Sequence, residues 1–169
     1  MIKSFKIIAF LFIGAFLLSS CDSDIPVAQL KAKYLKPNSA FNEIDGVSVH
    51  YIMEGRIEDS LPIVFIHGTS ASLHTWDAWQ QAMSPYYQTI SLDFPGHGLT
   101  GPDSLKRYGI KDYSELVQAL AEDLELTQYH VAGNSMGGAV AMQLASDYPK
   151  NILSLNLIDA AGAPAVNPV

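Results

Sequence analysis

The sequence predicts an α/β domain built on a mostly parallel sheet with helices on both faces. Three observations predict it. Short apolar, β-rich runs such as Ile63–Ile66 (IVFI) and Thr89–Leu92 (TISL) read as strands covered on both faces. Segments with apolar residues at helical spacing separate such runs. Strand and helix then alternate along the chain, and crossover connections of that kind leave neighbouring strands parallel. Of 169 residues, 49% are hydrophobic and 16% charged, enough to fill one core.

The elements follow in order. Residues 41–55 (FNEIDGVSVHYIMEG) predict two strands around an Asp45-Gly46 turn, because Val47, Val49 and Tyr51 alternate with Ser48 and His50. A polar loop follows, then the strand 63–66. Residues 72–83 place Leu73, Trp76, Trp79 and Met83 at helical spacing, which favours the core for both tryptophans over the lining of an acyl pocket. After the strand 89–92, residues 112–124 set Leu116, Val117, Leu120 and Leu124 on one stripe, with acids at the end where a helix dipole favours them. Val131-Ala132, preceded by Tyr129, predicts a short strand. Residues 136–148 are rich in Ala, Met and Leu and stop before Pro149, and residues 153–158 (LSLNLI) predict the last strand. No internal repeat is present.

The N-terminus is a separate unit. Lys3 and Lys6 precede the apolar run Ile7–Leu18, and Ser19 and Ser20 precede Cys21. A basic start, a short apolar stretch and small residues describe a secretory signal over residues 1–20; a spanning helix needs about 20 apolar residues. Leu18-Ser19-Ser20-Cys21 resembles the bacterial lipobox, which implies that Cys21 is lipidated and tethers the chain to a cell-envelope membrane, on its periplasmic side or outer surface. Cys21 is the single cysteine, so it has no partner for an internal disulfide. An ordinary secretory signal or an uncleaved anchor are the alternatives. Residues 21–40 carry two prolines and neither period, and read as a tether to a domain over 41–169.

The formal net charge of −7 excludes the basic surface that a nucleic-acid partner requires. No metal-ligand constellation is present and no cofactor is expected. GNSMGG lacks the lysine of a phosphate-binding loop.

The stretch HVAGNSMGGAV, residues 130–140, carries the chemistry. A strand that turns at once into a helix makes a tight bend, and small residues beside the central one let strand and helix approach. The serine there stands at a helix N-terminus, beside free N–H groups and the positive end of the dipole. A hydroxyl needs such a place, and a base to take its proton, before it attacks a carbonyl. Gly133, Ser135 and Gly137 supply the pattern; a bare G-x-S-x-G recurs by chance in about one chain in eighteen of this length, so context carries the weight.

Two further stretches give that context. VFIHGTSAS sets His67-Gly68 directly after one strand, and LDFPGHG sets Asp93, Pro95, Gly96, His97 and Gly98 after the next. With these three motifs, from about Phe41 to Ala161, the sequence resembles the α/β-hydrolase family, in the branch with HG, D-x-P-G-H-G and G-x-S-M-G-G after its third, fourth and fifth strands. The resemblance implies that Ser135 is the nucleophile and that the backbone N–H groups of Met136 and Thr69 are the oxyanion donors. His67, Gly68, Gly133, Asn134 and Gly137 would line the site, and an ester-like small molecule would be the substrate.

The family order is Ser, then acid, then His. After Ser135 the chain offers Asp147 and Asp159 and no histidine. Asp159, at the carboxyl end of a strand, is the candidate acid, although most relatives take theirs from the next strand. The resemblance therefore implies strands 1–6 of the fold, with the last strands, the lid and the catalytic His beyond Val169 and the fragment inactive. His67 and His97 read as loop-stabilising rather than as bases, Asp93 as a partner for loop N–H groups, and His50, His74 and His130 carry no functional signal. A non-catalytic binding protein on a hydrolase scaffold and a cofactor-free peroxidase-like activity are the rival functions.

Overall fold

The computed structural model describes residues 25–55 and 61–162. The signal segment 1–20, Cys21, the loop 56–60 and residues 163–169 lie outside them. Helix α1 (Val27–Tyr34) comes first, within the stretch expected to be an irregular tether, and strand β1 (Ser39–Ile44) begins two residues before residue 41. β2 (Val47–Glu54) pairs antiparallel with β1 through the Asp45-Gly46 turn; φ values of 48° and 81° there suit the two-residue hairpin.

β3 (Ile63–Ile66) and β4 (Thr89–Leu92) are buried at every position, as their unbroken apolar character requires. Between them lie a 3₁₀ turn (Leu73–Trp76) and helix α2 (Asp77–Met83), where a single longer helix was expected. α3 (Ile110–Asp123) opens with Asp112 accepting the Gly109 N–H at 2.8 Å, and turns Tyr113, Val117, Leu120 and Ala121 inward. β5 (Tyr129–Asn134) leads directly into α4 (Met136–Asp147), and β6 (Ile152–Ile158) ends the described chain.

The six strands lie in the order β1-β2-β4-β3-β5-β6, with β4, β3, β5 and β6 parallel. The two-residue period of the strands divides the interior. Val64, Ile66, Ile90, Leu92 and Val131 face Val117, Leu120, Val140 and Leu144 of α3 and α4. Ile63, Phe65 and Ala132 point to the other face, where Trp76 stacks on Phe65 at 4.9 Å between ring centres. Trp79 departs from expectation: it is half exposed, with its ring edge-on to Trp76 at 6.0 Å. Leu153, Leu155 and Leu157 of β6 are partly exposed, and no described strand pairs with its outer edge.

The chain leaves β3 towards β4 on one side and returns past β3 to β5 on the other. That reversal opens a crevice outside the carboxyl ends of β3 and β5, where an open α/β sheet places its ligand site. The motifs HGTS and GNSMGG both fall there.

Candidate active site

Ser135 joins β5 to α4 with φ 53° and ψ −119°, a conformation outside the regions that non-glycine residues favour. Such strain persists only where surrounding structure over-determines it, and here the restraints are visible. The Ser135 N–H donates to the Ile158 carbonyl at 3.1 Å, and the Ser135 carbonyl accepts from Gly138 at 3.0 Å and Ala161 at 2.8 Å. The Asn134 side-chain amide donates to the same Ile158 carbonyl at 3.1 Å, tying the ends of β5 and β6 together.

The small residues are needed for close approach. A Cβ on Gly133 would strike the backbone of Gly137 and Gly138, and one on Gly137 would strike the carbonyls of Ile66 and His67. Gly68 is nearest Ser135: a Cβ there would sit 3.0 Å from the Ser135 Cβ. Its neighbour Thr69 is exposed, and neither the Thr69 nor the Met136 N–H makes a backbone hydrogen bond in the turns, loops and caps. Both amides therefore remain open at the two loops that flank Ser135.

His67 does not line this crevice. It is fully buried beneath the loop: its Nδ1 donates to the Gly68 carbonyl at 2.8 Å, and its Nε2 accepts from the Phe94 N–H at 3.2 Å. Burial first, and the neighbouring His97 as well, hold its pKa below the usual histidine value; the Gly68 bond and the Asp93 charge oppose this more weakly. With both ring nitrogens engaged, His67 fastens the HG turn to the loop after β4 and leaves no lone pair for a substrate. His97 is half-buried, with its Nδ1 3.2 Å from the Pro95 carbonyl.

Asp93 gathers the loops. Its Oδ1 accepts the Leu73 N–H at 2.8 Å and its Oδ2 the Leu99 N–H at 2.8 Å, as expected for a residue that holds loop amides. The third partner is one that sequence reasoning missed: His50 Nδ1 lies 2.7 Å from Asp93 Oδ2, and its Nε2 lies 2.8 Å from Ser39 Oγ. Burial raises the carboxyl pKa, but the His50 bond and the Leu99 and Leu73 amides outweigh it, leaving Asp93 below its ordinary value. The signal for His50 lay in tertiary packing: Phe41 and the loops that Asp93 holds after β3 and β4 cover that side of β2, and a histidine buried there must be paired. Ser39, His50 and Asp93 have the residue types of a catalytic triad, yet Ser39 Oγ already accepts the Lys36 N–H at 3.0 Å and Asp93 is committed to two loops. The array is a buried tie between β1, β2 and the loops after β3 and β4.

Asp159 follows β6 with φ 47°, exposed and with no partner among the described residues. Its flanking residues grip the elbow: Ile158 and Ala161 bond Ser135, and Ala160 packs against Gly138. Asp147 lies at the far end of α4, bonded to Gln143 at 2.8 Å and away from the site. Among the described residues no histidine hydrogen-bonds Ser135.

A family model described as the alpha/beta hydrolase fold matches residues 62–168. The chain belongs to the α/β-hydrolase family. It is 38% identical over 105 residues to the dihydrolipoyllysine-residue acetyltransferase component of the acetoin cleaving system of Pseudomonas putida, covering 62% of this chain and 28% of that protein. It is 32% identical over 114 residues to a monoacylglycerol lipase of Bos taurus, covering 66% and 34%. Among solved structures, a membrane phospholipase A, described as a bacterial virulence factor, superposes with a TM-score of 0.74 at 25% identity, covering 97% of this chain and 53% of that one. This α/β-hydrolase chain thus spans about a third of those two curated relatives and about half of that structure.

Proposed function

We propose that this chain carries the nucleophile and oxyanion donors of a serine hydrolase acting on carboxylic esters. The observation that supports this reading best is Ser135 at the strained β5–α4 turn, flanked by open amides at Met136 and Thr69. Serine at the elbow also argues against the epoxide hydrolases and dehalogenases of this fold, which use aspartate there. In the proposed mechanism Ser135 Oγ attacks the ester carbonyl carbon while a base takes its proton, and the negative charge collects on the carbonyl oxygen. Two preorganised N–H groups act where that charge appears, each worth about 3–4 kcal/mol of barrier. The tetrahedral species collapses, the C–O bond breaks, and the departing alkoxide takes the proton. Water then attacks the acyl-serine, releasing the acid and restoring the hydroxyl.

The reaction needs a histidine base, which none of the described residues offers to Ser135, with Asp159 as the candidate acid to orient it. Without that base the rate would fall by several orders of magnitude. The hydrolase and lipase names of the relatives support the reaction class, while a lipidated Cys21 would hold the domain at an envelope membrane. A fluorophosphonate probe tests the reading. Mass-spectrometric labelling at Ser135 in a chain extended in frame, and its loss in Ser135→Ala, is the expected result. No labelling in the extended chain would reject it and favour the second reading, a non-catalytic binding protein.

A further inference from the structure

Helix α1 is the one element whose placement the hydrolase reading does not use. None of its residues is buried. Ile25 is 61% exposed, Val27 46%, Tyr34 43% and Leu35 48%, an unusual concentration of apolar surface over so short a stretch. Residues 25–38 (IPVAQLKAKYLKPN) hold three lysines and no acid, in a protein of net charge −7. Two of the lysine heads rest on aromatic faces of the segment and its neighbour: Lys31 Nζ lies over the Phe41 ring, 4.2 Å from its centre, and Lys33 Nζ over the Tyr34 ring at 4.9 Å, which keeps positive charge beside the exposed apolar residues. Lys36 is paired with Asp77 at 2.7 Å, which fastens the segment to α2.

Apolar residues rimmed by lysines on an otherwise acidic molecule match one partner, a bilayer with anionic head groups. The sequence adds continuity. The apolar run Ile7–Leu18 ends seven residues before Ile25, so a membrane holding that run lies within about 25 Å of Ile25 at full chain extension. The position of α1 gives the contact a consequence. Leu30, Lys33, Tyr34 and Lys36 line a groove of about 570 Å³ whose other walls are Ser72, His74, Asp93 and Leu99, in the loops that leave the carboxyl ends of β3 and β4. A surface that touches α1 therefore lies on the same side of the sheet as Ser135.

We propose that residues 25–36 form a lipid-contacting foot that seats the carboxyl edge of the sheet on an anionic bilayer. Lipidation or the apolar run supplies one weak anchor, and stable residence takes a second signal; α1 is that second signal. The contact itself is independent of the hydrolase reading, but its use, presenting membrane esters to Ser135, rests on that reading.

The test uses the full chain with vesicles of phosphatidylcholine alone, and of phosphatidylcholine containing phosphatidylglycerol. Flotation gives the partition coefficient, and hydrogen–deuterium exchange follows the amides of 25–36. The chain is expected to prefer the anionic vesicles and to gain protection on α1 there. Lys31→Gln with Lys33→Gln is expected to remove about 25-fold of that preference, about fivefold for each lysine, while binding to the neutral vesicles and the melting temperature stay unchanged. Ile25→Ser with Val27→Ser is expected to lower binding to both. Equal partition of wild type and lysine variant overturns the proposal. So does α1 protection that appears without vesicles and rises with protein concentration, which would assign the surface to a second copy of the chain. Vesicle binding as expected without fluorophosphonate labelling of the extended chain would leave the foot standing and reject the hydrolase.

Discussion

Replacing Asp93 by asparagine tests the geometry on which the site depends. The change keeps shape and volume and alters only the charge and the hydrogen-bond inventory. Three donors converge on the carboxylate, from His50 at 2.7 Å and from Leu73 and Leu99 at 2.8 Å each, and Asp93 is 1% exposed. An amide has one acceptor oxygen, so in either orientation its NH₂ group faces a donor. Breaking a buried charged network of this kind costs about 3–5 kcal/mol; the retained acceptor puts Asp93→Asn at the lower end. A domain of this size loses about 2–4 °C of melting temperature per kcal/mol, so a drop of about 6–12 °C is expected. The assay is thermal unfolding by circular dichroism at neutral pH, with hydrogen exchange of the Leu73 and Leu99 amides. The pH dependence supplies a second reading. The folded-state pKa of Asp93 lies below its unfolded value. Its contribution is therefore present above about pH 4 and is lost as pH falls through the lower folded value. The gap between wild type and variant should narrow over that acid range. A melting temperature within the error of wild type, with both amides still protected, would refute the assignment of Asp93 as the tie between the loops.

Gly137→Ala should lower the melting temperature by several degrees, because the added Cβ meets two fixed carbonyls and overpacking of this kind costs about 1–3 kcal/mol. Gly101→Ala, with open space around its Cβ, should be near neutral in the same assay. Ser135→Gly should melt above Ser135→Ala, since glycine relieves strain of about 1–3 kcal/mol at φ 53° and alanine keeps it; the reverse order would remove the strain from the argument. The His67 ring, followed by its Cε1 proton in NMR, should titrate below 6.5 in the folded protein, so stability falls as pH drops below that value. A midpoint at or above 6.5 would show that burial does not dominate there.

What could be read in advance depended on whether a residue's role is local. The runs IVFI and TISL declare buried strands because no polar residue interrupts them, and both strands are buried throughout. The glycines around Ser135 declare a close approach because no larger residue fits. Asp93 was legible as a loop partner because it follows a strand inside a glycine-rich turn. His50 was not, since in a two-strand reading its side chain falls on the outer face, and only the loops after β3 and β4, drawn in by Asp93, cover that face. The mixed prediction for 72–83 has a similar cause: helical spacing describes both a 3₁₀ turn and an α-helix over so few residues, and the Asp93 bond to the Leu73 N–H draws that loop against the strand end.

By itself the sequence determined the alternation of strands and helices and the sharp bend at Ser135. Each follows from near neighbours along the chain, through side-chain period, backbone sterics and helix-end electrostatics. Tertiary structure alone decided that His67 is locked under its turn and that His50 completes a buried tie. It also decided that α1 stands over the loops that follow β3 and β4. Those outcomes depend on partners tens of residues away, and only strand order and packing set which polar groups meet, which are sealed from water and which stay open to a ligand.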